Sequence, residues 1–182
     1  MRTLAEHILD IVQNSVRAKA NLIEVIVEES KINNLCVLTI TDNGCGMDAE
    51  MLKQAANPFF TSRKNRNVGL GISLLKQNAE AAGGRLLLES KPGEGTRLRA
   101  EFQRSNIDRS PAGDIPGVLY LLLLSCRDRE LVYRHKTDIG EFKLSTHELE
   151  ETLGDVSWQQ KEIRNGIIDW IKNNLDEIKA TR

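Results

Sequence analysis

An acidic and an amide side chain stand one helical turn apart near the start of the chain, in the segment LDIVQNSVRAKA at residues 9–20. Asp10 and Asn14 are four positions apart, so a helix places both side chains on the same face. The carbonyl oxygen of an asparagine can ligate Mg²⁺ in this arrangement, with the carboxylate beside it. For this segment alone, a solvated polar face of an amphipathic helix is the alternative.

A second segment able to do chemistry is DNGCGM at residues 42–47. A carboxylate at the end of a strand, here Asp42, can accept a hydrogen bond from the exocyclic amine of adenine. Gly44 and Gly46 would let a base approach the backbone closely. Guanine has a carbonyl oxygen at the same position, so Asp42 should discriminate against GTP. A hairpin turn is the alternative for this string by itself.

The third segment, NPFFTSRKNRNVGLG at residues 57–71, is polar and basic and is typical of a loop. Its Arg63, Lys64 and Arg66 suit contacts with phosphate groups. The pair Gly69 and Gly71 precedes a helical pattern, and the backbone amides at a helix start can bind phosphate. Taken alone, this segment is equally typical of a solvated surface loop.

The fourth segment, PGEGTRLRAEF at residues 92–102, places Thr96 after a Gly-x-Gly turn, and by itself it indicates a bare hairpin. In order and spacing, the four segments resemble the four sequence boxes of the GHKL (Bergerat-type) ATPases. That family includes histidine kinases, anti-sigma-factor kinases, mismatch-repair ATPases, gyrase and the Hsp90 chaperones. The resemblance covers residues 1–103 and implies ATP and Mg²⁺ as cofactors.

The resemblance also implies a role for each matching residue. Asn14 would ligate Mg²⁺, Asp42 would read adenine, and residues 59–71 would form a short mobile lid. Asp10 stands where hydrolysing and serine-phosphorylating members carry a glutamate that activates the attacking group. The aspartate is one methylene shorter, and Glu6 is the weaker alternative for that role. The other predicted nucleotide-binding residues are Gly44, Gly46, Met47, Phe60, Thr61, Arg63, Lys64, Arg66, Val68, Gly69, Leu70, Gly71 and Thr96.

Hydrophobic spacing predicts the elements that position these residues. Thr3 and Glu6 form a capping-box pattern at the start of an amphipathic helix over residues 3–18. Asp48 would cap a short helix that ends near residue 55, and a further helix begins near Ile72 and stops at the glycines after residue 82. The predicted strands are residues 22–28, 35–41, 86–90 and 96–102.

The pattern changes after a Ser-, Pro- and Gly-rich stretch at residues 105–117, which we interpret as a linker. Beyond it, strands are predicted at 118–125, 130–136 and 141–144, then a short helix capped by Ser145 and a last helix with an isoleucine stripe. Trp158 and Trp170 are predicted core residues, with an exposed docking face as the alternative. The expected fold is α+β: a two-layer α/β sandwich of the GHKL type at residues 1–104 and a small α+β subdomain at 118–182.

Composition limits the partners. The 25 basic and 26 acidic residues nearly cancel, so we expect neither nucleic-acid binding nor attraction to an anionic membrane. The longest apolar run, residues 118–124, is too short to cross a bilayer, and no signal peptide is apparent. Three scattered cysteines fit neither a disulfide framework nor a zinc site. We therefore expect a cytoplasmic protein without membrane insertion.

Two functions follow from the resemblance. The first is a stand-alone kinase, similar to anti-sigma-factor kinases, that transfers the γ-phosphoryl group of ATP to a regulatory protein partner. The alternative is a slow ATPase or a nucleotide-gated binding module without kinase activity. Residues 118–182 would recognise the partner. His147, in the string STHELEE, is interpreted as an ordinary surface histidine in the first turn of a helix.

Overall fold

The computed structural model describes residues 3–55 and 71–181, and within these ranges the chain forms six helices and six strands. The helices are α1 (Leu4–Arg17), α2 (Ala49–Ala55), α3 (Gly71–Ala81), α4 (Ile115–Ser125), α5 (Thr146–Leu153) and α6 (Lys161–Glu177). The strands are β1 (Leu22–Ser30), β2 (Leu35–Asp42), β3 (Arg85–Lys91), β4 (Gly95–Gln103), β5 (Glu130–Lys136) and β6 (Glu141–Ser145).

Local sequence signals account for the helix starts. The Thr3 hydroxyl accepts a hydrogen bond from the backbone N–H of Glu6 at 3.2 Å, which satisfies one of the free amides at the start of α1. Asp48 accepts from the amides of residues 50 and 51 at 3.0 and 2.8 Å before α2. Ser145 accepts from the amide of Glu148 at 3.3 Å at the start of α5. The three predicted helix starts are confirmed.

The strands form one sheet with the order β3-β4-β2-β1-β5-β6. Neighbouring pairs are antiparallel except β1 and β5, which run parallel, with Leu22 opposite Glu130. This register places Asp42, the last residue of β2, between Ile23 of β1 and Thr96 of β4. The register therefore brings the second and fourth sequence segments together at one end of the sheet.

Helices cover one face of the sheet. Helix α3 packs on β3 and β4, α1 packs on β1 and β2, and α4 lies between α1 and α6. The buried side chains of β1 alternate with partly or fully exposed ones, and Ile23, Val25 and Val27 are fully buried. Burial of each such side chain contributes about 1.5–3 kcal/mol relative to exposure. The described part of the chain is thus the two-layer α+β architecture expected from the sequence.

The segment 118–125 is helical, so the strand predicted there is wrong. Helix α4 starts at Ile115, its N-cap Asp114 accepts from the amide of Gly117 at 2.9 Å, and Pro116 occupies the first turn. The buried residues of α4 do follow helical spacing, but an exposed position of the helix also carries a leucine, Leu121, which is 51% exposed. The sequence is therefore apolar on every face and shows no helical periodicity. Here α1 and α6 flank the helix and bury its side chains.

The sheet continues without interruption from the first half of the chain into the second. Strand β5 pairs with β1 along seven residues, and the amides of Leu4 and Ala5 donate to the carbonyls of Pro111 and Ala112 at 2.8 and 2.9 Å. The predicted linker therefore packs against the start of α1. A division into units 1–104 and 118–182 stays a proposal, in which the two units share one sheet and one hydrophobic core.

The two tryptophans differ. Trp158 is 1% exposed, as predicted, whereas Trp170 is 42% exposed and meets the ring of Phe142 in an edge-to-face contact, so its assignment to the core is wrong. Among the described residues, no helix combines the length and apolar character that crossing a membrane requires.

Candidate functional site

A cavity of about 660 Å³ opens between the last turns of α1, the first turn of α3 and the neighbouring ends of β2, β3 and β4. It brings together residues from the first, second and fourth sequence segments. Its described lining residues are Ile11, Asn14, Ser15, Arg17, Ala18, Ile40, Asp42, Cys45, Gly46, Met47, Met51, Ile72, Leu88, Thr96 and Leu98.

Asp42 is the buried acid of the cavity, with 9% of its surface exposed. Its Oδ2 accepts a hydrogen bond from the Ser15 hydroxyl at 2.6 Å, and its Oδ1 accepts from the amide of Gly44 at 2.9 Å. These two donors fix the plane of the carboxylate and leave further lone pairs for a ligand donor. Ser15 was not among the predicted site residues. Its signal was a hydroxyl on the buried stripe of α1, next to Asn14.

Close backbone contacts near Asp42 leave room only for glycine at two positions. At Gly46, with φ of +66°, a side-chain Cβ would lie 1.9 Å from the carbonyl oxygen of Lys91. At Gly95, with φ of +100°, it would lie 1.9 Å from the carbonyl oxygen of Asp42. Both contacts are far inside van der Waals distance, so the turns of the second and fourth segments pack backbone against backbone.

A small hydroxyl network joins the same turns. The Ser90 hydroxyl donates to the carbonyl of Gly95 at 2.8 Å and accepts from the amide of Met47 at 2.8 Å. Because its hydrogen is used, the Thr96 hydroxyl at 3.0 Å must be the donor in their contact. The oxygen of Thr96 therefore presents acceptor lone pairs in the cavity wall. Ser90 is a further residue that the sequence reading missed.

Apolar side chains make up much of the remaining wall. They come from α1, β2, β3, β4 and α3, and they are Ile11, Ile40, Leu88, Leu98 and Ile72. A largely apolar cavity with a few fixed polar groups is typical of a small-molecule site. Its polar groups include the Asp42 carboxylate, the Thr96 hydroxyl and the Asn14 amide.

The helix face predicted for metal binding is only partly in the cavity. Asn14 lines it, and its Oδ1 accepts a hydrogen bond from Nη1 of Arg17 at 3.0 Å. Asp10 is not among the described lining residues. Its Oδ2 is buried and has no hydrogen-bond partner among residues 3–55 and 71–181. An amide oxygen and a carboxylate are hard ligands of the kind that Mg²⁺ prefers, so this donor set fits that ion.

The remaining predicted residues divide into three groups. Gly46, Met47 and Thr96 line the cavity. Gly44 packs behind it, where an added Cβ would be 2.8 Å from that of Ala18, and Gly71 is the buried first residue of α3. The rest lie outside the described residues, and they are Phe60, Thr61, Arg63, Lys64, Arg66, Val68, Gly69 and Leu70.

The two buried histidines lie in polar contacts that the sequence did not identify. His7 Nε2 is 2.9 Å from Nδ2 of Asn78, and burial lowers its pKa to about 4. His135 is hydrogen-bonded to Glu29 at 2.9 Å and to Tyr133 at 2.7 Å. None of these groups is among the described lining residues of the cavity.

Known proteins match the first half of the chain. Residues 2–106, more than half of the sequence, match the family of histidine kinase-, DNA gyrase B- and HSP90-like ATPases. The chain therefore belongs to this family, as its four sequence segments predicted.

Curated relatives match over a similar region. A protein of Shewanella frigidimarina described as a sensor protein is 35% identical over 107 residues, which cover 58% of this chain and 16% of that protein. The sensor protein DegM of a Bacillus species is 29% identical, covering 50% and 24%, and the cell-division control histidine kinase PdhS of Brucella ovis is 30% identical, covering 58% and 12%. The matched region is less than a quarter of the length of each of these relatives.

A solved structure is similar in fold. The crystal structure of the N-terminal domain of a DNA repair protein superposes with a TM-score of 0.54 at 16% sequence identity, covering 80% of this chain and 52% of that one. The shared region is longer than the family match. The likeness therefore extends beyond residue 106 and supports the continuous sheet described above.

Proposed function

We propose that the chain binds Mg-ATP in the cavity beside Asp42 and transfers the γ-phosphoryl group to a partner protein. The observation that carries this proposal is the buried Asp42 carboxylate, which Ser15 and Gly44 hold at the wall of an otherwise apolar cavity. A carboxylate fixed in this way is suited to accept from the exocyclic amine of adenine, which guanine lacks at that position.

The other groups of the cavity are consistent with an adenine nucleotide. The apolar wall formed by Ile40, Leu88 and Leu98 suits the faces of a flat base. The acceptor oxygen of Thr96 would take a hydrogen bond from a water or from the base edge beside Asp42. ATP would therefore be distinguished from GTP at a single position, where the same carboxylate meets either an amine donor or a carbonyl acceptor.

The side chains of α1 that line the cavity would hold the phosphates and the metal ion. Oδ1 of Asn14 would be the protein ligand of Mg²⁺, and the guanidinium of Arg17 would leave that oxygen and turn toward phosphate. Bound Mg²⁺ offsets the charge of the β- and γ-phosphate oxygens. Asp10, one turn before Asn14, would orient the attacking group, because its Oδ2 has no partner among the described residues.

Phosphoryl transfer to a protein is supported by the kind of relatives that match. Their descriptions include sensor proteins and a histidine kinase. In this proposal residues 118–182 recognise the acceptor protein.

Radiolabelled [γ-³²P]ATP, incubated with the chain and candidate partner proteins, should leave stable label on a partner. Label released only as inorganic phosphate would refute the kinase activity.

A nucleotide-gated binding module is the second candidate. Asp10 is absent from the described lining of the cavity, and its side chain is shorter than the glutamate expected in a hydrolysing member. The bond between Arg17 and Asn14 would also have to open when Mg-ATP binds, which gives the site two arrangements. Partner capture that depends on nucleotide but leaves no label on the partner would favour this function.

Calorimetric titration tests the binding site itself. The wild type should bind ATP and ADP but not GTP, and Mg²⁺ should strengthen ATP binding. Asp42→Asn should abolish measurable binding, because an amide has one acceptor oxygen whereas Ser15, Gly44 and the adenine amine all donate at this position. Asp48→Asn is the matched control, since Asp48 only caps α2. Equal ATP affinity in the Asp42 variant and the wild type would refute the site.

A further inference from the structure

The last turn of α1 forms part of the cavity wall, and the chain leaves the helix through a turn at residues 18–20. The carbonyl of Val16, in that last turn, and the carbonyl of Ala20, just after the helix, accept from Nη1 of Arg129 at 3.5 and 3.2 Å. Arg129 immediately precedes β5 and thus belongs to the second half of the chain. A cation at a helix C-terminus is favoured by the partial negative charge of the free carbonyls.

The Arg129 side chain is held in one orientation. Its Nε and Nη2 donate to the two carboxylate oxygens of Asp128 at 2.8 and 2.6 Å, a forked contact that leaves Nη1 for the carbonyls. The side chain is only 14% exposed. The guanidinium thus joins the end of α1 to the start of β5 as a fixed group rather than as a mobile surface cation.

The same turn of α1 determines where the second sequence segment lies. The carbonyl of Ala18, between the two carbonyls bound by Arg129, accepts from the amide of Cys45 at 2.9 Å. Gly44 packs against Ala18, where even a Cβ would not fit. Residues 17 and 18 also line the cavity. A shift at the end of α1 would therefore move the loop that carries Asp42.

We propose that Arg129 is a positioning residue of the nucleotide site: it holds the C-terminal turn of α1, and through Ala18 the loop of residues 42–47, in the arrangement that binds adenine nucleotide. The inference rests on the proposed function, which identifies adenine nucleotide as the ligand. It assigns the second half of the chain a direct part in nucleotide affinity, in addition to partner recognition. Arg129 is not in contact with the cavity, so it acts through the α1 turn.

Arg129→Gln tests this inference, with Arg127→Gln as the matched control. Arg127 lies in the same turn, but its polar partners among the described residues are Glu150, at 3.3 Å, and the face of Trp158, both in the second half of the chain. ATP and ADP titrations are run well below the melting temperature of each variant, with folding confirmed by circular dichroism. The Arg129 variant should bind both nucleotides about tenfold more weakly, whereas the Arg127 variant should match the wild type. Arg129→Lys should recover part of the affinity, because one donor to the carbonyls remains.

Alkylation of Cys45 by iodoacetamide gives a readout that does not need nucleotide. Cys45 is exposed at the cavity, whereas Cys36 and Cys126 are buried. Arg129→Gln should change the rate of Cys45 alkylation in the absence of nucleotide, since the Cys45 amide is bonded to Ala18. Arg127→Gln should leave the rate unchanged.

The outcomes separate the two proposals. Unchanged nucleotide affinity and unchanged alkylation in a folded Arg129→Gln variant overturn the positioning role, even if its melting temperature falls. A wild type that binds no adenine nucleotide overturns the proposed function. In that case an altered alkylation rate would still support control of the 42–47 loop by Arg129.

Discussion

Removing the Ser15 hydroxyl tests how Asp42 is held. The bond from Ser15 to Asp42 is buried and 2.6 Å long, and hydrogen bonds to charged groups contribute about 1.5–3 kcal/mol. Alanine also favours the helix by about 0.5 kcal/mol and leaves only a hydroxyl-sized void. We therefore expect Ser15→Ala to lower the free energy of unfolding by about 1–2 kcal/mol.

The same substitution should weaken ATP binding. The carboxylate would keep only the bond from the Gly44 amide and could rotate away from the adenine amine. A loss of about 1.4 kcal/mol corresponds to tenfold weaker binding. Isothermal titration of wild type and Ser15→Ala measures this change. Ser125→Ala is the control. The Ser125 hydroxyl donates to a backbone carbonyl near a helix end, and Ser125 lies outside the described cavity lining.

A double-mutant cycle decides whether the loss acts through Asp42. Urea unfolding of Ser15→Ala, Asp42→Asn and the double variant gives the coupling energy between the two side chains. We expect a coupling of about 1 kcal/mol or more, because each partner is needed for the bond. Additive unfolding energies, or an ATP affinity in Ser15→Ala equal to that of the wild type, would refute the reasoning.

Three further predictions concern other parts of the chain. Asp10→Asn should abolish phosphoryl transfer while ATP still binds in calorimetry; unchanged turnover would remove Asp10 from the mechanism. Gly95→Ala should lower the melting temperature far more than Gly93→Ala, because a Cβ at 95 meets the carbonyl of Asp42 at 1.9 Å while one at 93 meets nothing within 4 Å. Similar melting temperatures would contradict that contact. For His7, burial lowers the folded pKa to about 4 from 6.5, so the unfolded chain binds the extra proton between these values. The free energy of unfolding should therefore fall by about 3 kcal/mol as the pH drops from 6.5 to 4. His7→Gln should lose that dependence in urea titrations at several pH values, and an unaltered slope would assign it to other groups.

The contacts of the second half of the chain with the first limit which truncations can be tested. Deleting residues 118–182 would uncover the edge of β1 that pairs with β5 and the side of α1 that packs on α4. A free edge strand and an uncovered apolar helix face both favour aggregation. Point variants such as Arg129→Gln are therefore better tests of the accessory unit than its removal.

The sequence alone determined the features that depend on near neighbours. Thr3, Asp48 and Ser145 cap helices because each side chain reaches an amide two or three positions away. Alternation of buried and polar residues identified the strands, since successive side chains point to opposite faces. The four segments identified the ATPase family, which the match over residues 2–106 confirmed.

Only the tertiary structure decided what depends on distant residues. The hydroxyl that holds Asp42 comes from Ser15, 27 positions earlier, and the cation that caps α1 comes from Arg129, 113 positions after Val16. Residues 118–125 form a helix that packs between α1 and α6, but its exposed position 121 is also a leucine, which removes the periodicity that would distinguish helix from strand. Such contacts arise from the order of the strands and the packing of helices on them, and no local pattern encodes either.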